Sequence, residues 1–203
     1  MSAPRTRLRP AQRREQLLDL GVGLLSVHRL EDLSIDALAE EAGISRGLLY
    51  HYFTGKRDFH LAVLRRMAEQ VYAITAPDTS GSPLDQLAGS LLAYVDFVSA
   101  NREAYASFVR AAAAGDADYQ RIYEDARASL TDRIFERAGP ELMAEYGIVD
   151  SPAVRLLVRG WSALVEDTVL AWLEDPRGLD ERELVDLLAR ALAGIGGLVS
   201  ATQ

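Results

Sequence analysis

Two short helix-forming runs, each introduced by a serine and separated only by Ala42-Gly43-Ile44, constrain this chain more than any other feature. The hydroxyl oxygens of Ser34 and Ser45 can accept the free backbone N–H groups of a helix start, which predicts helices at Ser34–Glu41 and Ser45–Tyr52 with these serines as N-caps. A three-residue turn centred on glycine, joining helices of one to two turns, is the layout of a helix-turn-helix. Helical periodicity puts Ile35, Leu38, Ala39 and Ala42 on one apolar face, and Ile44, Leu49 and Phe53 complete a small core with the preceding helix. Arg46, Leu48, Tyr50, His51 and Tyr52 are left on the outside of a very short helix, beside Gly47.

That outer face needs a partner. A guanidinium, an imidazole, two phenols and a glycine admitting close approach suit the DNA major groove, where Arg46 can read guanine and Leu48 a thymine methyl. Tyr52 either reaches a base or packs on the domain surface. Lys56 and Arg57 open the next helix, where cations oppose the helix dipole by a few tenths to about 1 kcal/mol each. A phosphate docked there would turn the unfavourable placement into a binding one. The alternative is a helical scaffold with no DNA role, whose exposed aromatics bind another protein.

The rest of the chain also reads as helix, rich in Ala, Leu, Arg and Glu and lacking the hairpin-turn dipeptides Asn-Gly and Asp-Gly. A first helix is expected over Pro10–Val27, with Gly21 and Gly23 explained by close packing on a neighbour. A long helix over 56–73 leads to a loop at 76–83, where Ser82 and Asp85 form a capping box for a helix to Ala100. Further helices are expected at 102–114, 117–138, 152–174 and 180–199, bounded by Gly115-Asp116, Gly139-Pro140, Ser151-Pro152 and Asp175-Pro176-Arg177-Gly178. The fold class is all-α with about nine helices. The expected domains are 1–55, an N-terminal arm and helix-turn-helix, and 56–203, a larger helical body.

Charge separates the two parts. Of 22 basic and 30 acidic residues, residues 1–66 hold 11 and 8, leaving 11 and 22 for the remainder, so net +3 faces net −11. A basic module on an acidic body points to nucleic acid. The Arg-rich leader, Arg5 to Arg9, is either a solvated tail or an arm reaching a minor groove. Cysteine is absent and no apolar stretch follows the leader, so a reducing cytoplasm is expected and export is not. Ala153–Leu173 carries Arg155, Arg159, Glu166 and Asp167, too many charges for a membrane span. The three histidines His28, His51 and His60 are scattered, and no P-loop, H-E-x-x-H or G-x-G-x-x-G motif occurs. Neither an enzyme nor a metal or cofactor site is expected.

The stretch Ser34 to Leu64, with Gly43-Ile44-Ser45, Leu49-Tyr50-His51-Tyr52-Phe53 and Lys56, resembles the signature of the TetR (tetracycline repressor) family of transcriptional regulators. His28-Arg29 departs from it, standing where that family usually has a glycine closing the first helix. The resemblance implies that Arg46, Gly47, Leu48 and His51 lie toward base edges, while Ser34, Ser45, Tyr50, Tyr52 and Lys56 contact phosphates. It implies a homodimer on a palindromic operator, repression as the mode, and release by a small hydrophobic or amphipathic effector. The last two helices would pair with their symmetry mates through Leu157, Gly160, Leu164, Leu184, Leu188, Ala191 and Ile195. Tyr94, Phe97, Tyr105, Phe108, Tyr119 and Tyr123 on the middle helices, with Trp161 and Val165, either line an effector pocket or fill a core; Arg110 and Glu166 are the polar candidates beside them.

Salt separates the DNA and scaffold readings. A titration against duplex DNA is expected to lose affinity steeply between about 50 and 200 mM salt, ~10³-fold for six phosphate contacts. Binding insensitive to salt would favour the protein scaffold.

Overall fold

The computed structural model describes residues 9–78, 80–145 and 149–200. Among them are nine helices and no strand: α1 Pro10–Leu24, α2 Ile35–Ala42, α3 Arg46–Leu49, α4 Lys56–Ile74, α5 Pro83–Ala100, α6 Arg102–Ala113, α7 Ala117–Glu145, α8 Pro152–Glu174 and α9 Glu181–Ser200. Starts are set by side chains as expected. Ser34 accepts from the Ala37 N–H and Ser45 from the Leu48 N–H, and Ser82 and Asp85 exchange bonds in a capping box. Gly43 ends α2 at φ +61, a left-handed conformation that other residues adopt only at a cost.

Three elements differ from expectation. α1 stops at Leu24 and continues as turns rather than helix to Val27. α3 is only Arg46–Leu49, and Tyr50 to Tyr52 form turns bonded back to it, with Tyr52 N–H on Leu49 C=O at 2.8 Å. α7 runs through Gly139-Pro140 to Glu145. A proline inside a helix removes one N–H donor and strains one turn, but does not forbid the turns beyond it.

Packing divides the chain differently from the chain-order boundary at residue 55. One unit joins the described residues up to Ala68 with Glu103–Ile122; the other joins Glu69–Arg102 with the described residues from Tyr123 onward. In the first, Leu17, Leu25, Leu33, Leu38, Leu49, Phe53, Phe59, Val63 and Leu64 are essentially inaccessible to water. The Phe53 and Phe59 rings lie 5.1 Å apart and tilted by 56°, a favourable aromatic arrangement. Ala104, Phe108 and Ala112 of α6 are buried in this unit as well.

In the second unit α5, α8 and α9 pack on one another. Val95 and Val98, then Val154, Val158, Trp161, Val165 and Val169, then Leu184, Val185, Leu188 and Ala189 form the buried faces. Trp161 ties α8 to α9 by donating its indole N–H to the Leu188 carbonyl at 2.8 Å. Arg133 of α7 closes the C-terminal end of α4. Its guanidinium donates to the Tyr72 and Thr75 carbonyls and to the Thr75 hydroxyl, and lies 4.2 Å from the Tyr72 ring centroid. Carbonyls left over at a helix end thereby gain a charged donor, although burial pulls the Arg133 pKa down.

The two glycines of α1 differ. A Cβ on Gly21 would lie 2.7 Å from Val63 Cγ2 and 3.2 Å from the Phe59 ring, so close packing does explain it; a Cβ on Gly23 would meet nothing within 4 Å, so packing does not explain that one. Gly21→Ala is therefore expected to destabilise by roughly 1–3 kcal/mol through overpacking, while Gly23→Ala stabilises by up to about 1 kcal/mol through helix propensity. Thermal melts should shift in opposite directions, and a neutral Gly21→Ala would remove packing as the reason for that glycine.

Candidate nucleic-acid interface

A four-residue helix has too few hydrogen bonds to stand alone, so α3 is held by its cap at Ser45 and by Leu49, which is fully buried. Burying Leu49 and Phe53 turns the opposite side outward. Arg46, Gly47, Leu48, Tyr50 and His51 are exposed, with Leu48 at 38% and Tyr50 at 55%, and Tyr52 is half-buried. Ser45 is exposed and Ser34 half-buried. Both hydroxyl oxygens accept a capping bond, and a serine used in this way keeps its O–H as a donor for a phosphate oxygen.

The cations flanking this face are already engaged inside the chain. Arg46 forms a two-pronged ion pair with Asp36 of α2. Lys56 donates from Nζ to the Glu31 carbonyl at 2.6 Å, which uses one of the three donors of an ammonium. Arg57 differs from the expected phosphate ligand. It donates to both carboxylate oxygens of Asp116 at 2.7 and 2.8 Å and to Asp118 at 2.9 Å, and its guanidinium lies 5.4 Å from the Tyr119 ring centroid. The α6–α7 junction thus neutralises the charge that would otherwise face the start of α4.

Another bond ties α6 to the segment between α1 and α2: Ser107 donates to Glu31 Oε2 at 2.5 Å, and this hydrogen bond, the largest cause, lowers the Glu31 pKa. Beneath them His60 is buried, with Nε2 and the Leu33 carbonyl 2.7 Å apart. The carbonyl can only accept, so Nε2 carries the proton. Burial, which outweighs that bond, holds the imidazole below the ordinary histidine range. Sequence reading singled out none of Asp36, Glu31, Ser107 or Asp116, because pairing across 10 to 76 residues leaves no local pattern.

The residues expected around an effector fall in both units. In the first, Phe108 is buried, Tyr105 and Tyr119 are half-buried and Arg110 is exposed. In the second, Tyr94, Trp161, Val165 and Glu166 are buried, and Phe97 and Tyr123 are half-buried. Tyr123 donates to Glu166 Oε1 at 2.6 Å; burial first, then that carboxylate, pushes the phenol up to about 12. Arg127, absent from the sequence-based set, donates to the Tyr123 hydroxyl, the Arg159 carbonyl and Ser162, while its buried Nε has no partner.

The residues expected at a dimer contact divide as well. Leu157 and Leu164 are 40% and 48% exposed, and Gly160 and Ala191 are exposed. Ile195 is half-buried. Leu184 and Leu188 are instead only 2–3% exposed within the chain, so their expected place at a dimer surface is corrected to the protein's own core. The apolar side chains left uncovered beside the first set are Leu156 at 68% and Leu187 at 53%. Among the described residues no helix is long and apolar enough to cross a membrane.

Comparison with known proteins agrees with this geometry. Residues 17–63 match the model of bacterial regulatory proteins of the tetR family, and residues 83–194 match the tetracyclin repressor-like C-terminal domain. An uncharacterised HTH-type transcriptional regulator of Mycobacterium tuberculosis is 31% identical over 198 residues, covering 91% of this chain and 79% of that protein. The HTH-type transcriptional repressor KstR2 of Mycolicibacterium smegmatis is 34% identical over 93 residues, 45% of each chain. A crystal structure of a tetR-family transcriptional regulator from Streptomyces coelicolor superposes with TM-score 0.79 at 28% identity, covering 97% of this chain and 85% of that one.

The Arg57 pairing has a pH signature. Hydrogen bonds from Arg57, the largest cause, hold the Asp116 carboxyl at about 2, below its ordinary 3.8. A depressed folded-state value stabilises the fold above the unfolded value and is lost as pH falls through the folded one. The advantage of the parent over Asp116→Asn in circular-dichroism melts is therefore expected to be constant above about pH 5 and to shrink between pH 4 and 2. An advantage that persists unchanged at pH 3 would contradict the pairing.

Proposed function

The chain belongs to the TetR family of bacterial regulatory proteins and is a DNA-binding helix-turn-helix transcriptional regulator, and from that premise we propose that it is a repressor that binds a palindromic operator as a homodimer. Residues 1–55 read the DNA, and residues 56–203 carry dimerisation and effector binding. The observation that carries this reading is the outward side of α3 and of the turn that follows it: Arg46, Leu48, Tyr50 and His51 exposed around a buried Leu49. In the proposed complex Arg46, Gly47, Leu48 and His51 approach base edges. Ser34, Ser45, Tyr50, Tyr52 and Lys56 contact phosphates, and Tyr52 also comes near a base. N-terminal residues of a recognition helix are those that enter the major groove, and hydroxyl and ammonium donors suit the backbone.

One α3 spans too few base pairs for a unique site, and a two-fold dimer squares its discrimination. Support for the dimer comes from α8 and α9, where Leu156, Leu157, Leu164 and Leu187 face water beside Gly160 and Ala191. Apolar side chains clustered on a surface mark an interaction site. The effector is a small hydrophobic or amphipathic molecule whose binding releases the operator. Of the residues expected around it, those of the second unit, Tyr94, Phe97, Tyr123, Trp161, Val165 and Glu166, are its proposed surroundings, and their aromatic content supports an apolar ligand. The protein works in the cytoplasm, without a cofactor, as a binding protein rather than an enzyme.

Lys56→Ala and Tyr50→Phe are expected to weaken binding to every duplex alike. Arg46→Ala should also relax base preference, by ~1–3 kcal/mol for one lost bidentate contact. Fluorescence-anisotropy titrations on operator and scrambled duplexes separate these effects. If all three variants bind like the parent, the assignment of roles is wrong.

A further inference from the structure

We propose that Asp36 is a specificity-determining positioning residue, holding Arg46 by one edge so that the guanidinium presents its other edge to a guanine of the operator. The inference rests on the DNA-binding reading above and deepens it.

Arg46 is the first residue of α3, and Asp36 lies in the first turn of α2. Across the Gly43 turn the arginine Nε and Nη2 each meet a different carboxylate oxygen of Asp36, the Nη2 to Oδ2 bond being 2.7 Å. This fork-to-fork contact fixes the guanidinium plane. A guanidinium has five N–H donors, and this contact takes the Nε–H and one Nη2–H. The second Nη2–H and the Nη1 hydrogens remain on the far end, where two parallel donors match guanine O6 and N7.

Both side chains are largely in water, 67% exposed for Arg46 and 55% for Asp36. An exposed ion pair of this kind adds little to folding, since screening and lost rotamer freedom offset the attraction. Its effect falls on recognition. Arg46 is ordered before DNA arrives, which removes an ordering penalty from binding. The carboxylate also discriminates between surfaces: it is repelled by backbone phosphates, whereas in the groove its remaining lone pairs can accept from a cytosine amino group. Arg46 cannot engage a phosphate without bringing Asp36 along. Asp36 thus lowers affinity for arbitrary duplex and raises the share of binding that depends on sequence.

The test uses the full-length chain and the duplex that the parent selects from random DNA, with each base pair of a half-site changed in turn, plus an unrelated duplex. Asp36→Ala is expected to cut discrimination about tenfold at the same position that Arg46→Ala affects. It should tighten binding to the unrelated duplex and steepen the logarithmic salt slope by about 0.9, the value of one added phosphate contact. The double variant should discriminate no worse than Arg46→Ala alone, and Asp36→Glu should restore part of the preference. Asp36→Asn, which keeps the size of the side chain, guards against a folding defect in the alanine variant, read by circular dichroism. Retention of the parent's preference at every position by folded Asp36→Ala and Asp36→Asn overturns the proposal, as does a uniform loss of affinity for all duplexes. A parent that binds no DNA, or binds independently of salt, instead overturns the underlying DNA-binding reading.

Discussion

Burial of Leu49 is the interaction on which the DNA-facing part depends. α3 has four residues and cannot pay its own nucleation cost; its orientation comes from one leucine in the core, one serine cap and the Phe53–Phe59 contact that follows. With Leu49 fixed inward, Leu48 and the following Tyr50 turn away from the core, while Arg46, one turn before Leu49, stands exposed at the helix start in its ion pair with Asp36. The conformation of Gly43 sets how α2 meets α3, and therefore whether Asp36 can reach Arg46.

The first packing unit is completed from a distant part of the chain. Glu103–Ile122 contributes Ala104, Phe108 and Ala112 to burial, and Ser107, Asp116 and Asp118 to polar contacts with Glu31 and Arg57. Residues on either side of the reading helix are therefore tied to α6 and the start of α7. Lys56 and Arg57, neighbours in sequence, meet different fates: one meets a backbone carbonyl and the other two carboxylates.

Much of this was legible in the sequence because its causes are local. Serine caps, the glycine turn and the 3.6-residue spacing of Leu, Ile and Val gave the helices and the outward face of α3. What escaped depends on partners far along the chain. Periodicity says that Leu184 and Leu188 share an apolar face, but not whether that face meets the chain's own helices, as it does, or a second copy. Gly21 and Gly23 look alike until the positions of Val63 and Phe59 are known. Arg57 looked free for phosphate because Asp116, 59 residues away, leaves no mark near it. α7 continues past Gly139-Pro140, where the sequence predicts its end, because a proline weakens a helix locally while the turns on both sides can still form.

The most direct test of the central claim, that the exposed side of α3 is built for a DNA groove, is selection of bound sequences from random duplexes by the full-length protein. Recovery of a two-fold-symmetric sequence, with half-sites about one helical turn or a multiple apart, is the expected result. Enrichment of no sequence at low salt would contradict it.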